Sequence, residues 1–351
     1  MPLLCQLTDP DGYRISDWNI AADPRDRDYW ISLFDTFPNH IQTQIVRDGL
    51  DGDHFPARWS AFQREYESGM RLIRDKVERT GTLSTIELVR YRQMLLKKFD
   101  FPDPYRAIKR RENTAAARLY PQVIQRIDEL PLEKRWPALF LGLLAGNMFD
   151  LGAPKTIDLF KRGQTDFFAT LERIADQSWF IDHSAVLIDR LTNSSPWRQI
   201  LFFVDNAGSD IVLGVLPLAR EMARAGARVI LAANAEPALN DITYPELNCL
   251  LDKLRNQDPQ LADLLATDRL ATVDTGNDTP LLDCTIITDA CNTVAAASDL
   301  IVLEGMGRAI ESNWHVPLKC DCWRIALLKD EAVVRWLGAR LWQPVSRFDP
   351  A

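Results

Sequence analysis

From Trp197 onward, short apolar runs alternate with helical stretches, the rhythm of βα units feeding a parallel sheet. Residues 199–204 (QILFFV) lead into Asp205, 228–233 (RVILAA) into Asn234, 270–273 into Asp274 and 300–303 (LIVL) into Glu304. Between the first two runs, residues 211–225 read as a helix closed by Gly226, which makes a right-handed βαβ crossover. Residues 323–328 and 341–345 offer another strand or two. An α/β fold follows, and the acid or amide at the end of each of the four runs is the strongest physical signal in the chain.

Upstream the grammar is different. From about Asp28 to Leu130, Arg, Glu, Gln and Leu recur at helical spacing with few β-branched runs. Ser84 and Glu87 form a capping box ahead of Ile86, Leu88, Val89, Met94 and Leu95, and Pro102 and Pro104 close that helix. Residues 136–149 read as a strongly buried helix ending in a polar interruption that contains Asn147 and Asp150. The expected division is a mainly helical region over 1–130 and an α/β region over 131–351.

Composition narrows the partners. A formal net charge of -8 sets the global field against nucleic acid and anionic lipid. The six cysteines contain no CxxC pair, which fits reduced thiols. The N-terminus lacks the basic start and apolar core of a secretion signal, and the apolar stretch 137–146 falls well short of the ~20 residues that span a bilayer. The expectation is a cytoplasmic chain that binds neither membrane nor nucleic acid; its oligomeric state is left open.

In open α/β sheets, ligands bind beyond the carboxyl ends of the strands. Asp205 and Asn206 follow directly on an apolar run, and Asp241 lies in the loop after the neighbouring one. Two carboxylates and an amide oxygen make a hard donor set suited to Mg²⁺ or Mn²⁺, with vacant positions for water and a phosphate oxygen. Turn residues closing a strand are the plain alternative for Asp205 and Asn206. Asp210 reads equally as an N-cap or as a group that orients water or moves a proton. Arg308 and Lys319 could offset a phosphate dianion, although Lys319 reads as well as a solvated surface lysine. Glu304, Gly305, Met306, Gly307 and Arg308 imitate a dinucleotide fingerprint, but Ile310 occupies the third glycine position. Neither a GxSxG elbow nor a GxxxxGK[ST] loop occurs.

The segments FVDNAGSDIVLGVLPLARE, LAANAEPALNDIT, DTGND and EGMGRAIESN, together with AGNMFDLG and KCD, resemble the metal-dependent damage-control phosphatases, formerly domain of unknown function 89. The EGMGR element resembles the second subfamily, which includes stand-alone plant proteins and the C-terminal domain of pantothenate kinase 4. The resemblance implies a Rossmann-like three-layer α/β/α unit behind an N-terminal helical region. It implies a divalent ion (Mn²⁺, Mg²⁺, Co²⁺ or Ni²⁺) at Asp205, Asn206 and Asp241, with Asp210 beside it. Phosphate and substrate are expected at Asn147, Asp150, Asn234, Glu304, Gly305, Met306, Gly307, Arg308 and Lys319. The implied reaction is hydrolysis of small phosphate monoesters, with 4′-phosphopantetheine and its oxidised derivatives ahead of sugar phosphates. The competing readings are a methyltransferase binding S-adenosylmethionine or a nucleotide, and a non-catalytic metabolite sensor.

Overall fold

The computed structural model describes residues 2–148, 167–193 and 197–351. Four long helices open the chain: α1 (Pro24–Arg47), α2 (Phe55–Thr80), α3 (Thr85–Lys98) and α4 (Arg106–Glu129). The Ser84 N–H donates to Glu87 Oε2 at 3.0 Å, so the reciprocal half of the capping box starts α3 as its sequence requires. Then come α5 (Leu132–Asn147), α6 (Phe167–Ala175) and α7 (Ser184–Asn193), with the short strand β1 (Ile181–Asp182) between the last two. Among the described residues, no helix is long and apolar enough to cross a membrane.

The remaining strands are β2 (Gln199–Phe203), β3 (Arg228–Ala233), β4 (Leu270–Asp274), β5 (Leu300–Glu304), β6 (Asp321–Leu327) and β7 (Pro344–Asp349). They join β1 in one seven-stranded sheet of order β1-β7-β6-β5-β2-β3-β4. Every pairing is parallel except β6 with β7. The chain steps outward from β2 through β3 to β4, then returns to lay β5 on the other side of β2. That reversal is a topological switch point, where the loops after β2 and β5 diverge and leave a crevice. The sequence reading of an α/β fold holds, and the four apolar runs it marked are β2 to β5.

Both faces of the sheet are covered, which is why its strands read as unbroken apolar runs rather than as alternating ones. Leu201, Phe203, Ile230 and Ile301 point into a core shared with α1, α2 and α3. Ile200, Phe202, Val229 and Val302 point into a second core shared with α4 and α5. The helical region is therefore divided: α1 to α3 cover one face of the sheet, and α4 joins α5 on the other.

Two turns of π-helix flank the crevice, at Asp210–Val215 and Gly307–Glu311. The first runs straight into α8 (Leu216–Arg224) and crosses α5 at very close range. A Cβ added to Gly146 would lie 2.9 Å from the Ser209 carbonyl, and one added to Gly214 would lie 3.1 Å from Leu143 Cα. Only a bare backbone lets α5 come this near, and the approach carries Asn147, the last residue of α5, into the crevice. At Gly142 the nearest atom to an added Cβ is 3.7 Å away, an ordinary contact. Gly146→Ala should therefore lower stability by roughly 1–3 kcal/mol through overpacking. Gly142→Ala should raise it by up to about 1 kcal/mol through helix propensity. Urea denaturation of the two variants reads this contrast, and equal destabilisation by both would contradict the packing argument.

Candidate active site

Parallel register sets the site. Phe203 pairs with Leu303, so the residues that follow β2 and the last residue of β5 emerge side by side. The Asp205 N–H donates to Glu304 Oε2 at 2.8 Å, tying the two strand ends together. The loop after β3 folds back onto the same point: Asn206 bridges Asp241, the Ile242 N–H donates to the Asp205 carbonyl at 3.0 Å, and the Ala207 N–H donates to the Asn240 carbonyl at 2.9 Å. The structure thus brings Asp205, Asn206 and Asp241 together by backbone pairing alone.

Arg308 lies across them. Its guanidinium donates to Asp205, to Asp241 Oδ2 at 2.7 Å and to Asn234 Oδ1 at 3.2 Å. Asn234 also donates to Asp241 Oδ2 at 3.1 Å. Arg308 is 2% exposed, and although burial opposes its charge, the Asp241 and Asp205 carboxylates outweigh that and hold its pKa above the ordinary value. Its fork is filled by Asp205, Asp241 and Asn234.

On the other side of Asp205, Asn147 is a hub. Its Nδ2 donates to Glu304 Oε1 at 2.7 Å, to Asp210 Oδ2 at 3.0 Å and more weakly to Asp205 Oδ2 at 3.4 Å. Lys329 Nζ donates to the Asn147 carbonyl at 2.6 Å and to its Oδ1 at 3.2 Å. Oxygens of Asp205, Asp210 and Glu304 all lie within 4.8 Å of one another. Burial first, then the charge of Asp205, pushes Asp210 up to about 7 against the pull of Lys329. Burial and the charges of Asp210 and Asp205 drive Glu304 well above the usual carboxylate range.

These residues suit a divalent cation. Asp205, Asp210, Asp241 and Glu304 are all buried, and fully ionised they carry more negative charge than Arg308 and Lys329 beside them offset. Asp210 Oδ1 is buried without a hydrogen-bond partner. Asn206 turns its Nδ2 to Asp205 Oδ2 and Asp210 Oδ2, each at 2.8 Å, and its Oδ1 accepts from Asn240 Nδ2 at 2.8 Å. A concerted half-turn of both amides would present the Asn206 oxygen to the carboxylates and give Asn240 Oδ1, now buried and unpartnered, a donor. Only oxygen donors are involved, as a hard ion requires.

The glycines of the EGMGR element work sterically. Gly305 has φ +86°, and a Cβ there would collide with the Asp205 carboxylate; a Cβ on Gly307 would collide with the Pro280 carbonyl. Met306 lines the cavity above the acids. Asp150 lies outside the described residues. Lys319 needs correcting: it is exposed, and its Nζ donates to the Cys5 carbonyl at 2.8 Å. It precedes β6 and so sits at the amino end of a strand parallel to β5, the wrong edge of the sheet for this crevice. The lysine of the site is Lys329, just past the carboxyl end of β6, and the strand-end rule applied to that run would have found it.

A cavity of about 100 Å³ opens over Asp205, Asn206 and Asp241. Trp30 and Phe34 of α1 and Val89 and Arg92 of α3 roof it. The helical layer therefore closes the crevice from above. In the metal-free chain, raised carboxyl pKa values mean that the folded state binds more protons than the unfolded one at mildly acidic pH. The contribution of Asp210 to stability is then fully present below about pH 4 and is lost as pH rises through about 7. Thermal melts in chelator across that window read it as the difference between the parent and Asp210→Asn; a difference that does not change with pH would contradict it.

A family profile described as the damage-control phosphatase ARMT1-like domain matches residues 39–343. The chain is 36% identical over 323 residues to a damage-control phosphatase of Arabidopsis thaliana, covering 91% of this chain and 88% of that protein. It is 30% identical over 393 residues to the 4′-phosphopantetheine phosphatase of Mus musculus, covering 98% of this chain and 48% of the mouse protein. It is also 30% identical to pantothenate kinase 2 of Arabidopsis thaliana, of which it spans 41%. A crystal structure of a DUF89 family protein from Pyrococcus horikoshii superposes with TM-score 0.62 at 17% identity, over 90% of this chain and 96% of that one, and so shares the fold.

Proposed function

The chain belongs to the damage-control phosphatase ARMT1-like family, and from that premise we propose that it hydrolyses small phosphate monoesters with a divalent ion held at Asp205, Asn206 and Asp241. The proposed ion is Mn²⁺, Mg²⁺, Co²⁺ or Ni²⁺, and the proposed substrates are 4′-phosphopantetheine and its oxidised derivatives, with sugar phosphates as the second class. The observation that carries this reading is the cluster of buried carboxylates at the switch point beside a cavity lined by α1 and α3. The substrate class rests on the name of the mouse relative, of which this chain spans about half.

When bound, the ion would supply Lewis acidity toward a phosphoryl oxygen and a nucleophilic water. Asp210 is assigned to take the proton of the attacking water at Oδ1, the oxygen without a partner. A carboxylate whose pKa lies near the working pH is suited to that exchange. Asn147 keeps Asp210 and Glu304 apart from free rotation by donating to both. Arg308 holds Asp205 and Asp241 in register. The side chains that make these interactions are buried, which strengthens each of them.

The mutual approach of Asp205, Asp210 and Glu304 favours a second ligand set on the other side of Asp205. Asp205 belongs to both, so Asp205→Ala should cut phosphate release from p-nitrophenyl phosphate by on the order of 10² or more. Chelation of the parent should do the same. Mn²⁺ calorimetry on Asp241→Asn and Glu304→Gln separates the two sets: the first variant should lose affinity and the second keep it. Metal-dependent turnover surviving in Asp205→Ala would end the proposal.

A further inference from the structure

Arg92 is the one charged residue of the cavity roof, and its guanidinium feels the Asp241 carboxylate without making an ion pair to it. It sits on the buried stripe of α3 with Leu88, Val89, Leu95 and Leu96, where the helix period calls for an apolar side chain. The residue is 7% exposed and lines the cavity opposite Asp205, Asn206 and Asp241. Its guanidinium lies 5.2 Å from the ring centroids of both Phe34 and Phe37. Among the described residues it makes no side-chain hydrogen bond or ion pair, and its Nε is buried without a partner. By contrast, the buried Arg220 is paired with Asp128 and Asp258, Arg308 with Asp205 and Asp241, and Arg324 with Asp349.

A guanidinium taken out of water without a counter-ion is costly, and aromatic faces compensate only part of that cost. Such a group persists where a ligand completes it. We infer that Arg92 is the cation that receives non-bridging oxygens of the substrate's phosphoryl group, from the roof, opposite the carboxylate floor. The inference rests on the phosphatase reading and adds a binding residue supplied by the helical layer. Arg308 cannot fill this role in the same arrangement, because its fork is already occupied by Asp205, Asp241 and Asn234. The planar fork of Arg92 matches a phosphoryl group bidentately, which a lysine in its place would not. The negative faces of Phe34 and Phe37 attract the guanidinium.

The test uses the full chain with Mn²⁺ present and inorganic phosphate as the probe. In calorimetric titrations, Arg92→Met should weaken phosphate binding by roughly 10- to 100-fold, the loss of charge-assisted hydrogen bonds. Arg92→Lys should fall between the variant and the parent. Mn²⁺ affinity should be unchanged in both, and KM for p-nitrophenyl phosphate should rise in the same order. Thermal melts without phosphate separate a ligand role from a structural one. With a buried charge that makes no ion pair removed, Arg92→Met should melt at or above the parent temperature, and phosphate should raise the melting temperature of the parent more than that of the variant. A folded Arg92→Met chain with parental phosphate affinity would overturn the inference. So would an Arg92→Met chain that unfolds or melts well below the parent while Arg92→Lys binds phosphate as the parent does, because Arg92 would then be a pillar between aromatic rings. A parent chain that neither binds phosphate nor releases it from esters would sink the phosphatase reading itself.

Discussion

Negative charge buried at the carboxyl edge of a parallel sheet is the constraint around which this molecule is arranged. Asp205, Asp210, Asp241 and Glu304 are all nearly inaccessible, and mutual repulsion in a low-dielectric setting would drive them apart or protonate them. The fold resists the first outcome with backbone pairing: the loop after β3 is pinned to the residues after β2, and the end of β2 is pinned to Glu304. It meets the second with Arg308, Lys329 and the amide of Asn147. What remains uncompensated is a standing demand for a cation, and the raised pKa values of Asp210 and Glu304 are its signature in the metal-free chain.

That demand explains the glycines. Asn147 reaches three carboxylates only because Gly146 and Gly214 let α5 touch the neighbouring π-turn backbone to backbone. Gly305, in the left-handed region, leaves room for the Asp205 carboxylate where any side chain would displace it. Phosphate-cradling loops also favour glycine, so the sequence pattern does not separate the two uses.

Much of this was legible before any coordinates. Runs such as LIVL can lie only in strands covered on both faces, and β2 to β5 fell where those runs are, within a residue at each end. Strand-end acids pointed to the crevice because parallel strands deliver their carboxyl ends to one edge. Sequence spacing alone could not show which side of Asp205 each partner occupies, since that depends on the long return of the chain from β4 to β5. β7 was read only in part: Ser346 and Arg347 interrupt its apolar pattern, and as the antiparallel partner of β6 it departs from the βα rhythm. Lys319 stood out through the KCD segment, but it precedes β6, whereas Lys329 follows that strand and so reaches the carboxyl edge. Arg92 carried a readable sign, a lone charge on the apolar stripe of an amphipathic helix, which acquires meaning only once α3 is seen over the crevice.

Asp210 and Arg308 both stand on π-turns, one on each side of the crevice. A π-turn holds one residue more than an α-turn needs, so the winding there is a local surplus rather than a requirement of the elements that flank it. Removing a single residue from either turn would let it relax toward α-helical winding, with the flanking elements kept in place. The acid or the guanidinium would meanwhile swing by about 100° around the axis, the angle one residue subtends. Folding tolerance and chemical tolerance thus part company at these two turns, and a homologue shortened there would be a sound scaffold with its working groups facing elsewhere.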